Sequence, residues 1–334
     1  MDKWYIAQGK NSDVVLSSRI CLARNLEDAP FPSRMSGDLR RTVSRKIFAA
    51  LKNSELAGDL NLLDMSQMKD AEAQALVEKH LITSQFVNGR ENGALILSND
   101  ETVSIMLCEE DHIRLQVMRS GQDLMEAYRE ADKIDDVLLK RLKIAFDDKL
   151  GFLTSSPTDL GTGLKASVLL HIPAIVARGQ VGRLSAMVNK LGLSMKPVYS
   201  DKDAFYYLSN QITMGITEKS AVENLSAICD QIVKQERAAR EDLKDLDAFE
   251  DRVYRAFGTL KMARKLTSSE FLSLISLVRL GVSLGYFEVP YETINALMIG
   301  VQRGNLTVRA GADLEAQERD KLRASITREA LGKY

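Results

Sequence analysis

Thr102 to Met118 reads TVSIMLCEEDHIRLQVM. Two β-rich runs, TVSIMLC and HIRLQVM, flank the carboxylates Glu109, Glu110 and Asp111, which predicts two strands joined by a short turn. So short a gap favours antiparallel pairing, because a parallel return would need a crossover helix. Just upstream, ALILS at Ala94–Ser98 adds a strand. Farther upstream, Leu39, Val43, Ile47 and Leu51 recur every four residues and predict a helix over about 38 to 52, with a second over about 66 to 83. The residues before them read as a loop-like opening. Downstream, the pattern predicts a helix over about 121 to 146 and strands in GFLTSS and SVLLHIP around a glycine-containing loop. A helix over about 174 to 191 and a last strand at FYYLSNQ follow. The class is therefore α+β, an antiparallel sheet flanked by helices.

Beyond Gly215 the strand signal ends. Val222, Leu225, Ile228, Ile232 and Val233 share one helix face, and the charged run KQERAAREDLKDLDAFEDR behind them reads as a solvated face and domain connection. Thr267 and Glu270 form a capping-box pattern ahead of FLSLISLVRLGVSLG, which Gly285 would close. These signals divide the chain into an α+β domain at 1–245 and an all-helical domain at 246–334.

Composition narrows the function. The chain has 334 residues, 45 Lys plus Arg against 46 Asp plus Glu, and a formal charge of -1. That balance provides no whole-protein field for nucleic acid or an anionic membrane, so any anion site is local. Cys21, Cys108 and Cys229 stand far apart in no metal-ligand spacing, which points away from a disulfide framework or a structural metal. MDKWYIAQGK lacks a signal-peptide core, and no apolar run approaches the ~18 residues of a membrane span. A cytoplasmic protein is expected. His171 before Pro173 reads as a packed strand residue and Cys229 as a small buried hydrophobe.

Three segments can carry chemistry. Ser17-Ser18-Arg19 with Arg24 places guanidinium forks, which suit phosphate oxygens, in a Ser-rich loop; a plain surface loop is the alternative. CEEDHIR, Cys108 to Arg114, concentrates negative charge at a strand junction, where a carboxylate can hold a guanidinium and take its proton; an acidic hairpin turn is the alternative. SSPTDLGTGLK, Ser155 to Lys165, has Gly161 and Gly163, which would let backbone amides face an anion beside Lys165; a simple glycine turn is the alternative.

Taken together and in this order, these segments resemble the phosphagen (ATP:guanido) kinases and, more closely, the bacterial protein-arginine kinases. VVLSSRICLARN with PFPSRM, VEKHLITSQF, CEEDHIRLQ, SSPTDLGTGLKASVLLHIP, YLSNQITMG, QERAARE, DRVYRAFGTL and VRLGVSLGY carry the resemblance along essentially the whole chain. It implies ATP and Mg²⁺ as cosubstrate, with Arg19, His80, His112, Arg114 and Lys165 on the nucleotide and Glu110 as the base that grips the guanidinium. Glu109, Ser156, Gly161 and Gly163 stand in a second line, and Glu109 or Glu218 would be the next candidates for the base. It also implies protein substrates with exposed arginine, a homodimer, a small zinc-binding activator protein and Clp-type protease machinery as partners. QERDKLRA in the C-terminal helix matches the family's phosphoarginine-recognition pattern at Arg319, Asp320 and Arg323.

The chain also departs from the family pattern. Cys21 stands for an arginine, Cys108 for an asparagine, Ser156 for a cysteine, Asp159 for an asparagine and Lys165 for an arginine. KLGLSMKPVYS carries neither the arginine nor the second glutamate of the corresponding family segment. These differences keep a second function open, a catalytically inactive pseudokinase that binds phosphoarginine or a partner.

Overall fold

The structure, a computed structural model, describes residues 3–55, 59–199, 204–244 and 246–334. Its first strand, β1 (Val15–Arg24), lies where the sequence suggests a loop. The serines of VLSSRICLAR hide the alternation: Ile20 and Leu22 point one way, Arg19 and Cys21 the other. α1 (Gly37–Lys52) forms as the apolar spacing requires and is capped by Ser36, whose Oγ accepts from Leu39 N. After β2 (Leu60–Asp64), the helix expected over 66–83 is shorter, because α2 (Asp70–Glu78) ends at a left-handed His80 and α3 (Ser84–Asn88) restarts from the Thr83 cap.

β3 (Ala94–Ser98), β4 (Val103–Leu107), β5 (Ile113–Ser120) and α4 (Leu124–Arg141) follow the sequence pattern. GFLTSS supplies only β7 (Gly151–Phe152), which pairs with β6 (Phe146–Asp147) in a small hairpin outside the main sheet. β8 (Leu164–His171) is followed by two helices where one was expected, α5 (Pro173–Ala177) and α6 (Val181–Lys190). β9 (Leu193–Pro197) is an unexpected strand within KLGLSMKPVYS, whose final Ser200 lies outside the described residues; β10 (Phe205–Asn210) completes the set.

Eight strands form one antiparallel sheet in the order β2-β3-β4-β5-β1-β8-β10-β9. β2 and β9, which sequence periodicity missed along with β1, are its edges, where a half-polar sequence or a proline is tolerated. Alternation sorts the two faces of the central strands. Ile20, Leu22, Leu115, Val117, Val168 and Leu170 are fully buried on one face, packed beneath α4 and the next helix, α7 (Glu218–Lys244). At roughly 25 cal/mol per Å² of buried apolar surface, that layer is a dominant source of stability.

The charged run behind α7's apolar face is not simply solvated. Glu236 and Arg240 are buried: Glu236 accepts from Ala174 N and Ile175 N at the start of α5, and Arg240 donates to Glu236 and to His171 O. The pair is i,i+4 on one helix face, and it satisfies backbone groups that burial would otherwise leave unpaired. Asp245, at the expected domain junction, lies outside the described residues. Five further helices follow: α8 (Asp247–Met262), α9 (Ser268–Ser283), α10 (Tyr291–Gly300), α11 (Arg303–Ala310) and α12 (Ala316–Leu331). Thr267 caps α9 by accepting from Glu270 N, and Gly285, at φ +80°, closes it. Phe271, Ile275 and Leu297 from this part pack with Leu169 and Phe205 of the sheet in a second core. His171 stacks on Phe205 at 4.8 Å and Cys229 is buried, the packing roles that their sequence contexts suggest.

Candidate active site

The face of the sheet turned away from α4 and α7 is polar at its centre, and register explains why. Cys21 lies opposite Lys165 of β8 and Gln116 of β5, Ala23 opposite Arg114, and Arg19 opposite Ser167. Directly paired residues project to the same side. Arg19, Cys21, Arg114 and Lys165 therefore share one surface spanning three adjacent strands, although Arg19 and Lys165 are far apart in sequence.

Each cation is held differently. Arg19 Nε donates to Ser167 Oγ at 3.2 Å and its guanidinium lies 5.1 Å from the Tyr207 ring centre, with no partner for either terminal nitrogen among the described residues. Arg114 Nη1 donates to Glu109 Oε2 at 2.8 Å, and the Cys21 sulfur and the Glu109 carboxylate keep the guanidinium firmly charged. Glu109 also accepts from Thr83 Oγ1 at 2.5 Å, so it orients Arg114 rather than standing free as a base. Lys165 is exposed and unpaired among the described residues.

Glu110 sits at the tip of the β4–β5 turn. Cys108, at φ +55°, and the bond from its N to His112 O shape that turn. Asp111 and His112 are pinned inward. Asp111 Oδ1 accepts from Asn25 Nδ2 and Ser155 N, while His112 Nδ1 accepts from Leu26 N and its Nε2 donates to Pro30 O. Both nitrogens of His112 are thus spent on holding the 24–30 segment, an arrangement that fixes the neutral ring. Burial lowers its proton affinity in the same sense. Glu110 alone points outward, its side chain without a partner among the described residues, into a cavity of about 400 Å³ also lined by Ser33, Arg40, Gln85, Phe86, Cys108 and Ser155. Burial and the neighbouring Asp111 push its carboxyl pKa up, as a general base requires.

His80 reaches the cation face from the end of α2. It occupies the left-handed position after the helix, with Leu81 N bonded to Leu76 O and His80 N to Val77 O, the arrangement that usually selects glycine. Tyr207 Oη lies 2.9 Å from its Nδ1, and burial beside Arg19 lowers the imidazole pKa to about 4. Sequence reading did not mark Tyr207, Ser167, Thr83 or Asn25; strand pairing through β8 brings in Ser167 and Tyr207, while Thr83 and Asn25 arrive through their bonds to Glu109 and Asp111.

The glycine loop works otherwise than the sequence suggests. The amides of Thr162, Gly163 and Leu164 donate to Thr213 O, Asp159 O and Thr162 Oγ1, so they are used inside the fold rather than aimed at an anion. Gly161 and Gly163, at φ +100° and +62°, are needed because a Cβ would meet Thr213 O at 2.3 Å and Ala23 O at 2.7 Å. Ser156 Oγ pairs with Thr158 Oγ1 at 2.8 Å. Glu218 belongs to the opposite face: with Asp135 it neutralises the buried Arg24, and that commitment removes it from the candidates for the base.

Arg319, Asp320 and Arg323 lie on α12. Arg323 is buried and donates to Val301 O, Leu266 O and Asp320 Oδ1, whereas Arg319 is half-buried and bonded to Leu314 O. Among the described residues, no group of three His, Cys, Asp or Glu side chains could hold a metal, and no helix is long and apolar enough to cross a membrane.

Comparison with known proteins places these features in a family. Residues 42–239 match the model of the ATP:guanido phosphotransferase C-terminal catalytic domain, and residues 246–334 match that of the protein-arginine kinase McsB C-terminal domain. The chain is 40% identical over 346 residues to a protein-arginine kinase of Geobacillus sp. (strain WCH70), covering 99% of this chain and 94% of the relative. It is 42% identical over 337 residues to that of Geobacillus stearothermophilus, covering 98% and 93%. Among solved structures, the duplicated taurocyamine kinase from Schistosoma mansoni with bound transition state analog components aligns with a TM-score of 0.61 and 26% identity, over 68% of this chain and 33% of that one. Lombricine kinase, at 22% identity and a TM-score of 0.59 over 69% of this chain and 68% of that one, shares the fold.

Proposed function

From the premise that the chain belongs to the ATP:guanido phosphotransferase family, as a kinase of the protein-arginine kinase branch, we propose that it transfers the γ-phosphoryl group of ATP to arginine side chains of proteins. One observation carries the reading: the Glu110 carboxylate, unpaired among the described residues, opens on a cavity of about 400 Å³ beside a strand face that bears Arg19, Arg114 and Lys165. The cavity takes the substrate guanidinium and the strand face takes the phosphates.

A guanidino nitrogen attacks the γ-phosphorus, the N–P bond forms as the bond to the bridging oxygen breaks, and ADP leaves. Glu110 accepts the proton that the nitrogen loses. Phosphoryl transfer depends mainly on alignment and charge neutralisation, so Arg19, Arg114 and Lys165 would act on the phosphates while Mg²⁺, arriving with the nucleotide substrate, supplies further positive charge. His112 contributes by holding the 24–30 segment and His80 by facing the nucleotide.

Recognition of phosphoarginine by the C-terminal part belongs to the same reading, with Arg319 and Asp320 as contacts and Arg323 as the group that fixes Asp320. The wider expectations, a homodimer in the cytoplasm working with a zinc-binding activator and Clp-type proteases, rest on family resemblance. Cys21 favours a slower enzyme or a pseudokinase as the second reading, because a buried thiol supplies no cation between Arg114 and Lys165.

The deciding experiment incubates the protein with ATP, Mg²⁺ and an arginine-rich protein, with and without an activator, and measures acid-labile phosphoarginine by mass spectrometry. Product is expected, and Glu110→Gln should lower its rate by about a hundredfold or more. Absence of product under both conditions rejects the kinase in favour of the binding module, and full activity of the variant assigns the base elsewhere.

A further inference from the structure

We propose that Tyr207 is a positioning residue that sets both nucleotide-facing groups at this end of the sheet: its ring supports the Arg19 guanidinium, and its hydroxyl fixes His80 as the tautomer protonated at Nε2. The inference rests on the assignment of Arg19 and His80 to the nucleotide. Tyr207 lies on β10 opposite Leu169, on the same face as Ser167 and Arg19. Arg19 is held at Nε by Ser167 and lies 5.1 Å from the Tyr207 ring centre, so these two contacts orient the fork while its terminal nitrogens stay free among the described residues. A guanidinium over an aromatic face gains electrostatic attraction without using a donor.

The hydroxyl does a second job. Tyr207 Oη lies 2.9 Å from His80 Nδ1, with the two rings edge to face at 89°. A neutral imidazole has one donor and one acceptor, so the direction of this bond decides what the other nitrogen offers. If Nδ1 donated, the tyrosine hydrogen would have no acceptor among the described residues. Donation by Tyr207 satisfies both atoms and leaves the ring proton on Nε2. That nitrogen is shielded from solvent and has no partner among the described residues. Its ring is locked by Tyr207 and by the left-handed backbone at His80, so this N–H becomes a donor for an acceptor atom of the nucleotide once binding opens its shielded position.

The test combines imidazole nitrogen NMR with calorimetric titration of MgATP, and neither needs turnover. In the unmodified protein, His80 should show the Nε2-protonated form; the Nδ1-protonated form overturns the proposal without any variant. Tyr207→Phe keeps the ring and removes the hydroxyl. It should weaken MgATP binding by about five- to tenfold and shift the His80 signals, leaving those of His112 and His171 in place. In a His80→Ala background, Tyr207→Phe should change affinity by less than about twofold, since the bond it breaks is already gone. Tyr207→Leu, which also removes the support under Arg19, should weaken binding by more than Tyr207→Phe. Unchanged affinity and unchanged His80 signals in Tyr207→Phe, alongside a large loss in Arg19→Ala, overturn the role of Tyr207 while the nucleotide assignment survives. If Arg19→Ala also binds MgATP normally, the nucleotide assignment itself is wrong and the proposal falls with it.

Discussion

The polar face of the sheet and the regions packed behind it use arginine in opposite ways. On the polar face Arg19 keeps its terminal nitrogens free among the described residues and Arg114 shares the Glu109 carboxylate. On the apolar face Arg24 gives its guanidinium to Asp135, Glu218, Ala23 O and Thr162 O and lies 3.6 Å from the Phe152 ring centre. In α12, Arg323 is spent on two carbonyls and Asp320. Free donors on the polar strand face suit an incoming anion; donors already satisfied in the interior suit the fold. The difference teaches that an arginine motif acquires its role from what surrounds it.

The largest expected effect tests that division directly. Arg24→Met leaves the buried Asp135 and the half-buried Glu218 without their cation and should cost about 3 to 5 kcal/mol in urea denaturation, whereas Arg19→Met should stay within about 1 kcal/mol. Equal losses would break the comparison.

Acid sharpens it next. Burial holds His80 at about 4 and His171 well below its ordinary value, so the folded protein resists protonating rings that the unfolded chain protonates near 6.5. At these two rings the unfolded state binds more protons across that window, so their contribution to stability should fall as pH drops from 6.5 towards 4. His80 alone should account for about 3 kcal/mol. Urea midpoints at a series of pH values measure the slope, and a flat profile would remove His80 from the buried neutral class.

A smaller contrast is expected within α12. Arg323→Ala should destabilise the protein by about 2 to 3 kcal/mol because Val301 O and Leu266 O lose their donor, while Arg319→Ala should lower phosphoarginine affinity by about tenfold with little effect on melting. Reversed assignments would show that Arg323, although buried, is the ligand-binding member. Smallest of all, Lys165→Arg restores a planar fork on the open face and should tighten MgATP binding about threefold by calorimetry, with unchanged stability.

Local pattern made much of this legible. The four-residue spacing of Leu39 to Leu51 specifies α1, and the carboxylates between TVSIMLC and HIRLQVM specify the β4–β5 hairpin and Glu110 at its tip. β1 was hidden because serines and arginines stand on both of its faces and break the alternation, and β9 because a five-residue edge strand ending in Pro197 has too little periodicity to register. The buried pair Glu236 and Arg240 was hidden for a related reason, since a charged run does not reveal which of its members turn inward.

The sequence by itself determined the family, the antiparallel class, the position of Glu110 and the presence of Arg19, His80, Arg114 and Lys165, because each depends on residue type and short-range order. Only the tertiary structure decided that Cys21 and Lys165 are neighbours, that Tyr207 reaches His80, that Glu218 belongs to Arg24 and that Arg323 is already satisfied. These facts depend on strand register and on packing between segments more than a hundred residues apart, or between different helices. Hydrogen-bond partners are chosen by proximity in space, which no spacing along the chain records.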